Sequence, residues 1–282
     1  MKQLKKESVG QTEKFAHKKS LGQNFLTSDV VPKWLTAAGE VATGDTVLEI
    51  GPGTGALTKI LLQTGAKVIA LEADARAVAI LVEQFSGDIA SGQLTLIHGD
   101  ARELAVADLG LQHQKFKVVA NIPYYLSGFL LRTLLESTIQ PSQLVFLMQK
   151  EVVNRIAREA KESILSLSVK AFGLPKYIKT VTRGHFNPAP KVDSAILQIS
   201  NITLTNFSSE SEQDLYFELL HLGFGQKRKQ LLSNFARTYE RTTLTELFTR
   251  LNIPLDARAE TLPLPIWLEL TKNLQFIPRL ST

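Results

Sequence analysis

Val47-Leu48-Glu49-Ile50-Gly51-Pro52-Gly53-Thr54-Gly55 is an apolar run that stops in three glycines at alternate positions and passes into the helical pattern Ala56–Leu62. A strand, a tight turn and a helix start in that order form a nucleotide-binding edge. Glycines let the backbone pass close to a ligand without a Cβ in the way, and the first turn of a helix presents unpaired N–H groups. The spacing discriminates further. Dinucleotide folds use G-x-G-x-x-G, whose last glycine seats the helix against a pyrophosphate. The form here is G-x-G-x-G, which suits a nucleoside cofactor without phosphates. An ordinary tight turn also explains such glycines when they stand alone, so the neighbouring segments decide.

Outward from that segment, β-branched and apolar runs alternate with helical patterns. Strands are predicted at Thr46–Ile50, Lys67–Glu72, Leu94–His98, Lys117–Ala120, Gln143–Gln149, Tyr177–Val181 and Ala195–Ser200. Helices are predicted at Ala56–Leu62, Ala75–Phe85, Gly128–Leu135 and Glu151–Ala160. This is the pattern of an α/β doubly wound fold with a seven-stranded, mostly parallel sheet covered on both faces. The polar stretch Asn201–Gln213 reads as a linker, and the apolar spacing beyond it turns helical at Leu215–Leu222, Arg228–Arg237 and Leu244–Leu251. The expected organisation is a basic arm over 1–17, an α/β domain over 18–205 and a small all-helical domain over 206–282.

Two loops join the glycine turn at the same sheet edge. Glu72 ends the second strand about 20 residues past the first glycine, where a carboxylate can accept both hydroxyls of a ribose. Gly99-Asp100-Ala101 follows the third strand, where a carboxylate can accept from an adenine amine. After the fourth strand comes Asn121-Ile122-Pro123-Tyr124. The exocyclic nitrogen of adenine is a poor nucleophile because its lone pair is delocalised into the ring. Acceptors at the Asn121 side chain and the Ile122 carbonyl would favour the localised, pyramidal form. Pro123 stiffens the turn, and Tyr124 offers a flat face for a base drawn out of its stack. No titratable base is needed, because the amine becomes acidic only as a methyl group arrives.

Composition narrows the class. The 282 residues are 44% hydrophobic, enough for a sizeable core, and no run approaches the roughly 18 apolar residues of a membrane span. The start of the chain lacks the apolar core of a signal peptide, and cytoplasm is the expected compartment. With no cysteine, disulfides and thiolate chemistry are excluded. The five histidines show no paired spacing, so no metal site is expected. The net charge of +5 is concentrated in Lys2, Lys5, Lys6, Lys14, Lys18 and Lys19 and again in Lys227, Arg228 and Lys229. Such patches suit a polyanion but do not separate RNA from DNA.

At this point the motifs resemble a family. Lys18-Lys19-Ser20-Leu21-Gly22-Gln23-Asn24-Phe25-Leu26, the glycine segment, Asn121–Tyr124, Met148–Arg155, Phe186–Ala195, Phe224–Lys229 and Leu255–Arg258 resemble the ribosomal RNA adenine dimethyltransferases, most nearly their bacterial small-subunit members. The resemblance implies a class I, Rossmann-like methyltransferase using S-adenosylmethionine. Its substrate would be two adjacent adenines in the hairpin loop near the 3′ end of 16S rRNA on an assembling small subunit. It implies cofactor contacts at Asn24, Leu26, Gly51, Glu72, Asp100 and Asn121, to which Gly53 and Ala101 are added, and a Phe186 that closes on the target base opposite Tyr124. Arg155 and Lys191 join Lys18, Lys19, Lys227, Arg228 and Lys229 as candidate RNA contacts; Lys191 and Asp193 can equally fix their loop. A monomer is the simplest assembly. The chain departs from the family at Ser163-Ile164, where a Tyr-Gly pair is usual. Competing assignments are a large-subunit adenine methylase that confers antibiotic resistance and a non-catalytic nucleic-acid-binding relative.

Overall fold

The computed structural model describes residues 25–226 and 228–280. The basic arm and the candidates Lys18, Lys19, Asn24 and Lys227 lie outside the described residues. The described chain opens with β1 (Phe25–Leu26) and α1 (Val30–Ala38). It then runs β2 (Thr46–Ile50), α2 (Ala56–Gln63), β3 (Lys67–Glu72), α3 (Ala75–Gln84), α4 (Ser86–Ala90), β4 (Leu94–His98), β5 (Lys117–Asn121), α5 (Ser127–Leu135), β6 (Gln143–Gln149) and α6 (Lys150–Ala157). After α7 (Ile164–Lys170), β7 (Leu174–Val181), β8 (Phe186–Asn187) and β9 (Ser194–Ser200) come the helices α8 (Glu210–Phe224), α9 (Leu231–Phe235), α10 (Arg241–Arg250) and α11 (Leu264–Leu274).

Seven strands form one sheet in the order β4-β3-β2-β5-β6-β9-β7. The first five are mutually parallel, and β9 lies antiparallel to both its neighbours. Alternation along the strands sorts side chains to two faces. Leu48, Val118, Ala120, Leu144, Phe146 and Leu197 point to a cluster shared with α5, α6 and α7. Val47, Val119, Val145, Leu147 and Ile196 point to the cluster of α1, α2 and α3. Both faces being covered explains why these strands read as nearly unbroken apolar runs.

Four local differences separate the structure from the sequence expectation. First, β7 begins at Leu174 and takes in Pro175. It is the last strand of the sheet, where a missing N–H leaves no ladder partner unsatisfied. Second, the linker ends earlier than its polarity suggests, because Ser209 caps α8 by accepting from the Glu212 N–H at 3.2 Å. Third, α9 and α6 are shorter than their periodicity, and fourth, α11 was concealed by Pro263 and Pro265, which sit at its start, where prolines are tolerated. Ser163, the departure from the family pattern, caps α7 in a reciprocal box with Ser166.

The expected boundary at 205/206 falls where the sheet gives way to helices, yet the apolar cluster crosses it. Phe172 packs against Phe207 and Phe217 at ring separations of 5.6 and 6.1 Å, and the Tyr216 hydroxyl donates to the Leu167 carbonyl at 3.1 Å. Deeper in the tail, Trp267 is fully buried, stacked on Phe224 at 5.7 Å and edge-on to Phe235 at 6.2 Å. Trp267→Ala is therefore expected to cost about 3–5 kcal/mol of stability, read as a lowered midpoint in urea unfolding; an unchanged midpoint would place Trp267 outside the cooperative core.

Candidate active site

The strand order reverses between β2 and β5, since the chain moves outward from β2 through β3 to β4 and in the other direction from β5 to β6. A crevice opens beyond the carboxyl ends of strands at such a switch point. It is lined by Leu26, Gly51, Gly53, Glu72, Asp100, Ala101, Asn121, Ile122, Pro123, Tyr124 and Phe186. Every catalytic and cofactor candidate among the described residues thus comes to one cleft.

Hydrogen bonds lace the loops that build it. The Gly51 N–H donates to the Leu71 carbonyl at 2.9 Å, one residue beyond the β2–β3 ladder. The Glu72 carboxylate, in a residue only 5% exposed, accepts from the Gly53 N–H at 2.9 Å through Oε2 and from the Asp74 N–H at 2.8 Å through Oε1. Its own carbonyl accepts from Gly99 at 2.9 Å. Each carboxylate oxygen keeps a lone pair for a further donor. The turn demands its glycines: Gly51 and Gly53 have φ of +71° and +58°, and a Cβ on Gly53 would lie 2.8 Å from the Phe25 ring.

Asp100 caps the turn Ala101–Glu103 through the Arg102 N–H at 2.8 Å and is paired with the Arg102 guanidinium, which holds its carboxyl below the usual range. Asn121 ends β5 opposite Leu147 and is half-buried. The Tyr124 hydroxyl and Ser194 Oγ are 2.8 Å apart, which fixes the phenol ring, and burial raises its pKa. Phe186 reaches the cleft on the two-stranded ribbon of β1 and β8, where it pairs with Leu26.

Several lining residues escaped the sequence reading: Phe25, Glu49, Arg102 and Tyr125. The signal for Glu49 is a lone acid within the apolar strand Thr46–Ile50. It is 1% exposed and accepts from Thr58 Oγ1 at 2.7 Å. Burial, reinforced by the nearby Glu72 charge, pushes its pKa up to about 8. The RNA candidates among the described residues do not line the cleft. Arg155 pairs with Glu151 at 2.8 Å one turn away, while Lys191, Arg228 and Lys229 are exposed elsewhere. Asp193 accepts from the Arg183 N–H at 3.2 Å, which ties down the loop it shares with Lys191.

A family model described as ribosomal RNA adenine dimethylase matches residues 14–275. The chain belongs to that family. Ribosomal RNA small subunit methyltransferase A of Dehalococcoides mccartyi is 38% identical over 256 residues, 90% of this chain and 87% of its own. The protein of that name from Fusobacterium nucleatum is 34% identical over 263 residues, 92% of this chain and 97% of its own. A crystal structure of a dimethyladenosine transferase from Plasmodium falciparum aligns with a TM-score of 0.76 at 26% identity, over 89% of this chain and 97% of its own. The 23S rRNA methyltransferase ErmE shares the fold, with a TM-score of 0.69 at 22% identity over 89% of this chain and all of its own. As a ribosomal RNA adenine dimethylase, the chain is a methyltransferase with the class I sheet described above. No helix among the described residues is long and apolar enough to cross a membrane.

The buried Glu49 sets a pH dependence. Its carboxyl stays protonated in the fold up to about 8 but ionises in the unfolded chain near 4.5, so between those values the folded state holds the extra proton. Its contribution to stability is complete below the lower value and is lost as pH rises through the upper one. Wild-type protein should lose stability relative to Glu49→Gln as pH goes from about 5 to about 8, measured by urea midpoints; parallel pH profiles would mean that Glu49 is charged in the fold.

Proposed function

We propose that this chain transfers methyl groups from S-adenosylmethionine to the exocyclic N6 of two adjacent adenines in the 3′-terminal hairpin loop of 16S rRNA, acting as a cytoplasmic monomer on the small subunit or its precursor. The observation that carries this is the meeting of Asn121–Tyr124 with the Gly51, Glu72 and Asp100 loops in one cleft. The names of the bacterial relatives support the small-subunit substrate, as do the Phe186–Ala195 and Phe224–Lys229 motifs.

The cleft suits the cofactor by charge and shape. Among the described residues its acidic and basic lining is Glu49, Glu72, Asp100 and Arg102; Glu49 is protonated at neutral pH and Arg102 is paired with Asp100, which leaves Glu72 uncompensated. An acidic lining repels a polyphosphate and favours a cationic molecule with free hydroxyls. A Cβ added at Gly51 would meet nothing within 4 Å, so the backbone there faces open space. Glu72 would take the ribose hydroxyls, Asp100 the amine of the cofactor's adenine, and Leu26, Gly53 and Ala101 the walls, with Asn24 completing the set. When bound, S-adenosylmethionine supplies an electrophilic methyl group on a sulfonium. The protein's part is alignment. The Asn121 amide oxygen and the Ile122 carbonyl accept the two amine N–H bonds and localise the nitrogen lone pair. Pro123 holds the turn, and Tyr124 and Phe186 hold the purine between aromatic faces. The proton leaves after the methyl group has arrived. Residues 18–205 carry this chemistry, and the helical stretch 206–282, with Lys227, Arg228 and Lys229, provides RNA contacts together with Lys18, Lys19, Arg155 and Lys191.

Tritiated methyl transfer to unmethylated small subunits, set against large-subunit RNA, tests the substrate; label only in the latter would reverse the assignment. Asn121→Ala is expected to lower kcat by about 10²–10³ while cofactor affinity by calorimetry stays within about twofold. Neutralising Lys227, Arg228 and Lys229 together should flatten the salt dependence of RNA binding, by about one unit of log–log slope for each phosphate that is no longer neutralised; an unaltered slope would make them ordinary surface charge.

A further inference from the structure

Two tyrosines stand side by side at the lip of the cleft and are treated differently by the fold. Tyr124 is half-buried, with its hydroxyl tied to Ser194. Tyr125 also lines the cleft but is 58% exposed. Helical backbone continues from the turn Tyr124–Leu126 into α5, and the next large side chain on the same face, Phe129, is 41% exposed. Residues four apart on a helix lie one above the other, about 6 Å along the axis. Gly128, between them, has nothing within 4 Å of where a Cβ would be, so the space beside the pair is open. The same face continues to Arg132, whose guanidinium is held by the Glu136 carboxylate at 3.1 Å and lies 5.6 Å from the centre of the Phe217 ring.

A single exposed aromatic residue on a helix is ordinary. Here two exposed rings stand one helical turn apart, the first of them lining the candidate cleft, which is the composition of a surface on which single-stranded bases stack. We propose that Tyr125 and Phe129 form a stacking platform for the nucleotide next to the target adenine. The inference rests on the proposed function and deepens it. Consecutive residues 124 and 125 bring one half-buried and one exposed ring to the same cleft, which matches an RNA strand whose target base is inserted while its neighbour is not. With two adjacent adenines as substrate, the platform holds one while the other is in the slot, and it does so without reading sequence, because every base has a π-face.

The test uses full-length protein and unmethylated small subunits, with Tyr125→Ala, Phe129→Ala, the double variant and the conservative Tyr125→Phe. The double variant is expected to raise KM for subunits at least about fivefold, the lower end of what removing one base stack gives. Its kcat and its calorimetric affinity for S-adenosylmethionine should stay within about twofold of wild type, which also reports an intact fold, and Tyr125→Phe should behave as wild type. An unchanged KM, or a fall in kcat at constant KM, overturns the platform while leaving the proposed function in place. Wild-type protein that transfers no methyl group to small subunits overturns both.

Discussion

The carboxylate of Glu72, accepting from Gly53 and Asp74 while its own carbonyl accepts from Gly99, ties three loops into one rigid edge. A buried carboxylate with both oxygens engaged cannot turn away, so the glycine turn has a fixed distance from the β3 end. That geometry is possible only because β2, β3 and β4 run parallel in close register, with Ile50 opposite Leu71 and Glu72 opposite His98, so that their loops leave the sheet at one level. The turn itself follows from its glycines, whose positive φ brings the Gly53 N–H to the acid. The side chain that supports the turn is thus the one proposed to bind the cofactor.

The end proposed to carry the chemistry is held by a different means. Asn121 and Ile122 are carried by β5, adjacent to β2 in the sheet but separated from it in sequence by the two intervening strands β3 and β4. Their position therefore depends on sheet order and not on local turn chemistry. Tyr124 is fixed from the opposite direction, by Ser194 at the start of β9, and Phe186 by the short ribbon that joins the beginning of the described chain to the β7–β9 connection. Four separate segments converge on the slot, which makes its width a property of the whole sheet.

Most of this architecture is legible in the residues because both faces of the sheet are covered: strands such as Gln143–Gln149 have no polar alternation to blur their ends, and β2, β3, β4 and β6 match the expected bounds. The candidate cofactor edge stands out in the same way, since its glycines and acids sit at fixed offsets from strand ends. What the sequence concealed depends on contacts between distant segments. Glu49 reads as an oddity within a strand until Thr58 and Glu72 are placed around it. Leu264–Leu274 was hidden because prolines at a helix start look like breakers when the cap is not seen. The exposure of Tyr125 cannot be told from the burial of Tyr124 in a string of letters. The candidate RNA contacts are the least legible, because a lysine carries no mark of what its surroundings will be.

The aromatic continuity from Phe172 through Phe207, Tyr216 and Phe217 has a consequence for how the chain can be cut. The helical tail is a lid on oily surface belonging to the sheet layer. A truncated protein ending before it would present Phe172 to water and would be expected to precipitate or recruit chaperones before its catalytic competence could be assessed. Evolution can vary the tail's outer face freely, but it can discard the tail only by repainting the surface underneath.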